Sequence, residues 1–328
     1  MRDNGFMNEH MNLERGEIYE AGYRLDDDLT VIDHLGGTRK VDIYLCRSRS
    51  LKMEVACKIL RREFCIHFKS LEAVIKEGEM LSNMDHPNVM RAYSFELEPA
   101  PRIVMDYVGG SDLKSAFFTG NFAAFPRAEA ISIIRQLAEG LEHVHAQGVL
   151  HLDVKPSNIL YADGRAVLID FSVAREFDAA KLPRDNAGTR DWMAPEQTNR
   201  ETVGPYTDVY GLGVVMYQLL TGGELPYKTI EVAEDSDSSS SSGDSSSGEG
   251  SSSTSSSSSD SGSSSSSGGS GGVKKVLNYD VAPVHPSDID GSVSREVGDI
   301  AMRAVSVRVE ERFETPAAFG EVLEGVEG

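Results

Sequence analysis

The run His151-Leu152-Asp153-Val154-Lys155-Pro156-Ser157-Asn158 puts a carboxylate, an ammonium and a carboxamide into one short loop. Twelve residues beyond Asn158, Asp170 follows the apolar stretch Ala166-Val167-Leu168-Ile169, which sets a second carboxylate at the end of a strand. These groups suit metal-assisted phosphoryl transfer. That chemistry needs a carboxylate to orient the attacking hydroxyl, oxygen ligands for a metal, and a cation on the moving phosphoryl group, all fixed relative to one another. Asp153 fits the first role and Lys155 the cation. Asn158 and Asp170 fit the metal, because magnesium takes oxygen ligands.

The elements that must position these groups show in the hydrophobic periodicity. Val41, Ile43 and Leu45 alternate with Asp42, Tyr44 and Cys46, and Val55-Ala56-Cys57-Lys58-Ile59-Leu60 follows a charged turn. Both predict antiparallel strands. Between Ser70 and Asn83, Leu71, Val74, Ile75, Met80 and Leu81 recur at helical spacing until His86-Pro87-Asn88 stops the helix. Ile103-Val104-Met105 is a further apolar run, ending at Gly109-Gly110. Beyond it the pattern turns helical, first from Ala128 to Ala146 with Ile131, Ile134, Leu137, Leu141 and Val144 on one face, then over 208–220 and 297–307. The expectation is an α+β fold of two lobes: a small antiparallel sheet with one helix, then a larger, mainly helical lobe.

At 328 residues and 40% hydrophobic content, one such unit fits the chain. The net charge of −20 and the lack of clustered Lys and Arg exclude a sequence-independent nucleic-acid surface. Cys46, Cys57 and Cys65 have no CxxC spacing or companion His cluster and read as reduced packing residues. No run of eighteen apolar residues offers a membrane span, and the first residues lack a secretory apolar region, so a cytoplasmic setting is expected. Residues 1–28 read as a polar extension, with the folded domain starting near Leu29. Residues 231–272 are more than half serine, with Gly and seven acidic side chains, and are expected to be a disordered insertion within the large lobe.

Taken in order, these motifs resemble the eukaryote-type protein kinases found in many bacteria, over 29–325, with a small lobe at 29–109 and a large lobe at 110–325. The resemblance implies an ATP-dependent signalling enzyme that uses magnesium and acts on protein substrates. Val55-Ala56-Cys57-Lys58 resembles the third-strand motif, so Lys58 would contact the phosphates and pair with Glu77; Glu79 would point elsewhere. Asp170-Phe171-Ser172 stands where the family usually has Asp-Phe-Gly, and Ala194-Pro195-Glu196 closes the activation segment. Asp208 would anchor the catalytic loop and Arg312 would pair with Glu196. Met105 would be the gatekeeper, Asp106 to Val108 the hinge facing adenine, and Asp112 a ribose contact, while Ile43, Ala56 and Leu160 would sandwich the base. Lys155 and Thr189 point to serine or threonine as acceptor.

Three departures from the family pattern carry expectations of their own. The phosphate-covering loop is Gly36-Gly37-Thr38-Arg39-Lys40-Val41, with Thr38 and Val41 in place of the second and third glycines. A stiffer loop follows from this. Arg39 and Lys40 read as a solvated turn, the alternative being charge supplied to the phosphates. Leu152 replaces the arginine that pairs with a loop phosphate in many kinases, and 173–188 holds no Ser, Thr or Tyr. Activity without activation-loop phosphorylation is therefore expected. Ser172 restricts the backbone beside Asp170 and predicts a modest rate penalty. The insertion, at the place of the family's substrate-docking helix, reads as a passive spacer or as a self-phosphorylated tail. Two other functions compete: a nucleotide-binding pseudokinase scaffold, resting on Thr38, Val41 and Ser172, and a small-molecule phosphotransferase, which would lack Ala194-Pro195-Glu196 and the Asp208 helix.

Overall fold

The computed structural model describes residues 18–98, 100–118, 125–177, 188–233 and 273–326. Its first part is a five-stranded antiparallel sheet in the order β1-β2-β3-β5-β4. The strands are β1 (Leu29–Gly37), β2 (Val41–Ser48), β3 (Met53–Leu60), β4 (Ala92–Glu96) and β5 (Arg102–Asp106), and α1 (Phe68–Ser82) lies between β3 and β4. Strand alternation gives the sheet two buried faces. Ala56, Leu60, Ile103 and Met105 join Val74 and Leu81 of α1 in the main core. Tyr44, Cys46, Val55, Cys57 and Ile59 form a second core on the outer face.

That outer core corrects the expected boundary at residue 28. Tyr19 and Leu25 are buried in it beside Leu29 and Val31. The Tyr19 and Tyr23 rings stack 4.4 Å apart, and the Tyr44 hydroxyl accepts from the Tyr19 backbone N at 3.2 Å. Asp26 and Glu96 both pair with the buried Arg102. Two aromatic rings and a leucine among many polar residues suffice to cover the sheet, so 18–28 is folded rather than an appendage. Residues 1–17 lie outside the described residues.

The second part contains β6 (Ser111–Asp112), α2 (Leu113–Phe118), α3 (Arg127–Ala146), β7 (Val149–Leu150), β8 (Ile159–Ala162), β9 (Arg165–Leu168), β10 (Arg175–Glu176), α4 (Pro195–Thr198), α5 (Pro205–Thr221), α6 (Pro286–Ile289), α7 (Arg295–Ala304) and α8 (Pro316–Glu324). Strands β6, β8 and β9 make a small sheet in the order β6-β8-β9, and β7 pairs with β10. The predicted stripe of α3 is buried, together with Ala130, Ile133 and Ala138. Helix α5 is buried along its whole length from Thr207 to Thr221. Gly211 allows it to approach the catalytic loop, since a Cβ there would lie 3.0 Å from the Val154 carbonyl oxygen.

Residues Lys228–Asn278 form a separate unit. Within it β11 (Thr229–Ala233) and β12 (Val273–Leu277) pair antiparallel, with Ala233 opposite Val273. The expected insertion thus starts later than its composition suggests, because 231–233 are strand. Residues 234–272, on which the expectation of disorder falls, lie outside the described residues.

Candidate active site

Lys58, in the middle of β3, is fixed in the cleft by strand pairing on both sides, to Ile43 of β2 and Ile103 of β5. Its Nζ donates to Glu77 Oε1 and Oε2 of α1 at 2.6 and 2.8 Å, and to Asp170 Oδ1 at 3.1 Å. Burial opposes the ammonium charge, but the two carboxylates outweigh it and raise the Lys58 pKa. Burial likewise pushes the Asp170 carboxyl up; Lys58 and hydrogen bonding from Ser172 overcome this and hold it at about 2. Asp170 keeps 35% of its side chain exposed, so an ionised carboxylate faces the cleft.

The catalytic loop is held from beneath. Asp208, at the start of α5, accepts the backbone N–H groups of His151 and Leu152 at 2.8 and 2.7 Å, and its Oδ2 lies 2.8 Å from His145 Nε2. Burial would raise the Asp208 pKa, yet these donors lower it. The His151 ring packs edge-on against Phe171 at 4.8 Å, joining this loop to the Asp170 segment. Leu152 and Asp170 have φ values of 62° and 64°, a left-handed backbone that non-glycine residues rarely adopt. Ser172 has no such φ, so its replacement of glycine carries no backbone strain.

Asp153 Oδ2 accepts from Lys155 Nζ at 2.5 Å and from Asn158 Nδ2 at 3.1 Å. Asp153 Oδ1 is buried and has no hydrogen-bond partner among the described residues. Lys155 Nζ also donates to Thr189 Oγ1 at 2.5 Å. The Asn158 amide nitrogen is committed to Asp153, which leaves its carbonyl oxygen as a metal donor. Among the described residues no three His, Cys, Asp or Glu side chains gather as a metal cage. A cation bound by Asn158 and Asp170 alone fits magnesium, which fills its remaining positions with water and phosphate oxygens.

Residues 29–313 match the protein kinase domain family. This chain belongs to that family. The serine/threonine-protein kinase PrkC of Bacillus subtilis is 31% identical over 205 residues, or 61% of this chain and 31% of PrkC. The serine/threonine-protein kinase PknB of Mycobacterium leprae is 32% identical over 207 residues, or 60% of this chain and 33% of PknB. The chain therefore spans about a third of the length of these two relatives. The crystal structure of the Mycobacterium tuberculosis PknI kinase domain shares the fold, with a TM-score of 0.62, 19% identity, and coverage of 94% of this chain and 99% of that one.

The structure gathers the residues expected to hold a nucleotide around one apolar surface. Ala56, Met105 and Val108 are buried in the main core, and Ile43 and Leu160 pack against it. Gly36 and Gly37 end β1, where Gly36 pairs with Ile43. Asp106 at the hinge accepts from the Tyr93 hydroxyl. Asp112 is less free than expected, because its carboxylate accepts from Ser115 N and Oγ at 2.8 and 2.7 Å. Glu79 is exposed, as its helical phase requires.

Two kinase positions escaped the sequence reading. His145 is the third donor to Asp208, and only its place six residues before His151 hints at it. Gln197 donates to the Leu152 carbonyl at 2.9 Å and ties α4 to the catalytic loop. Arg312 was legible: it meets both Glu196 oxygens at 2.8 Å. Among the described residues no helix is long and apolar enough to cross a membrane.

Proposed function

We propose that this chain is an ATP-dependent protein kinase that phosphorylates serine and threonine hydroxyls of protein substrates, with magnesium, and without activation-loop phosphorylation. The observation that carries this reading is the Asp153 carboxylate. Lys155 and Asn158 both donate to its Oδ2 and fix its orientation. The Asp153 carboxylate orients an incoming hydroxyl and receives its proton. Lys155 moves from Asp153 toward the transferring group as negative charge develops. Lys58, kept charged and aimed by Glu77, contacts the nucleotide phosphates. Asn158 and Asp170 would hold the magnesium, which would neutralise charge on the phosphate oxygens. The Lys155–Thr189 contact favours a serine or threonine acceptor, as the names of PrkC and PknB also do.

Leu152 supports phosphorylation-independent activity. It is buried with Leu150 and Val203, and Phe177 packs on the group. An apolar cluster stands where other kinases use an arginine and a phosphate, and it needs no modification to form. Part of the hydroxyl-free segment, 178–187, lies outside the described residues. The scaffold alternative has no observation in its favour, since Lys58, Glu77, Asp153, Asn158 and Asp170 come together. A cytoplasmic setting belongs to the same proposal; Cys46, Cys57 and Cys65 are free thiols, as a reducing compartment keeps them. Phosphosite mapping after incubation with ATP and magnesium tests the serine-rich insertion: phosphates there support self-phosphorylation, and a bare insertion leaves a passive spacer.

The deciding experiment uses labelled ATP, magnesium and a general acceptor protein. Wild type transfers phosphate to serine and threonine, before and after phosphatase treatment, while Asp153→Asn and Lys58→Met do not. Loss of transfer after phosphatase would sink phosphorylation-independent activity, and no transfer above the variants would sink the kinase reading.

A further inference from the structure

The loop that covers the phosphates has lost two of three family glycines, yet a buried acidic residue braces it from behind. Alternation along β2 sends Val41 and Ile43 toward the main core and Asp42 and Tyr44 to the opposite face. Asp42 is only 5% exposed, although it is a carboxylate at the mouth of a solvent-facing loop. Its Oδ1 accepts from Arg61 Nη2 at 2.8 Å and lies 3.0 Å from His34 Nε2. A buried charge is retained only where it is met in this way. His34 belongs to β1, Asp42 to β2, and Arg61 follows β3, so one oxygen joins three chain segments at the loop end of the sheet.

The turn itself is tied to the same point. The Arg61 backbone N donates to the Lys40 carbonyl at 2.8 Å, and the Arg39 guanidinium lies over the Phe64 ring, 5.8 Å from its centroid. Within the turn, Thr38 N donates to the Val41 carbonyl at 2.8 Å, and Thr38 Oγ1 accepts from Lys40 N at 3.2 Å. Gly37 is required by this packing: a Cβ there would meet the Val41 carbonyl oxygen at 2.4 Å and Asp42 Oδ1 at 2.9 Å.

We propose that Asp42, through Arg61 and His34, is a positioning residue that holds the phosphate-covering turn in shape before ATP arrives. A glycine-rich loop is ordered by its ligand and loses conformational entropy when it closes. Here threonine and the Asp42 brace order the turn in advance, so the entropy is not lost at the binding step. Arg39 is drawn back onto Phe64 and leaves the phosphates to Lys58.

The inference rests on the ATP-site reading above, and its test separates the two. MgATP affinity of the full chain is measured by titration calorimetry, and KM for ATP, KM for acceptor protein and kcat by phosphate transfer. Arg61→Gln and Asp42→Asn each weaken MgATP binding and raise KM for ATP by about tenfold, as expected for losing a hydrogen bond to a charged group. In both, kcat and KM for acceptor stay within about twofold of wild type, and Arg61→Lys recovers most of the loss. Arg61 is part-exposed, so its glutamine variant folds even if Asp42→Asn does not. Unchanged MgATP affinity in Arg61→Gln, or an equal loss in kcat and both KM values, would overturn the proposal. Wild-type binding without transfer would instead overturn the catalytic reading alone, because calorimetry needs no turnover.

Discussion

Two buried ion pairs of the same chemistry do opposite work in this molecule. Arg312 and Glu196 are sealed, with 0% and 2% of their side chains exposed. The guanidinium spends its remaining donors on the Ser306, Tyr206 and Val307 carbonyls, and Thr207 completes Glu196. Nothing is left over. Lys58 and Glu77 are almost as buried, but their pairing continues to a third group, Asp170, which opens to the cleft. What separates a functional pair from a structural one here is unspent valence at one end, not burial or distance.

The comparison predicts a clean division of phenotypes. Lys58→Met has the largest effect, a fall in kcat/KM of roughly a thousandfold, as for removal of a positioned group that acts on transition-state charge. Its thermal midpoint changes little, because burial already raises the Glu77 pKa and the stranded carboxyl takes up a proton. A melt as damaged as that of Arg312→Ala would break the contrast. Arg312→Ala loses about 3–5 kcal/mol of stability in urea, since it removes both hydrogen bonds to the buried Glu196 and strands the Ser306, Tyr206 and Val307 carbonyls without their donor. The molecules that remain folded keep their turnover, which active-site titration checks.

Smaller effects sharpen the same point. Leu152→Ala, in the apolar cluster with Val203, costs about 2–3 kcal/mol by denaturant melt, and phosphorylating conditions do not restore it. The smallest effect is in pH. The Asp170 pKa is depressed to about 2, so the unfolded chain takes up this proton first as pH falls. Its contribution to stability is present above pH about 4 and lost as pH falls through 2. Stability curves of wild type and Asp170→Asn should converge over that interval, and parallel curves would show that Asp170 is not held by Lys58.

The groups of the candidate site were legible because the proposed chemistry needs them at short range in the chain. Asp153, Lys155 and Asn158 share one loop, and the helical phase distinguishes Glu77 from Glu79. Features built by contacts between distant segments were not. Asp208 could be placed as an anchor, but not the three donors that lower its pKa, which come from α3 and two consecutive backbone amides. The folding of 18–28 was hidden because a few apolar residues, Tyr19, Tyr23 and Leu25, give no period to read. The brace at Asp42 was concealed by strand alternation itself: an acidic residue in a polar phase looks solvated until a second core is found on that face.

The hairpin of β11 and β12 has a consequence for engineering. Because Ala233 and Val273 face each other in register, the chain departs and returns at adjacent points, a strand spacing of about 5 Å apart. Any cargo whose own termini lie close together can be spliced between those two residues without asking the rest of the chain to stretch. The chain thus carries a ready port for a fluorescent reporter or a ligand-gated module.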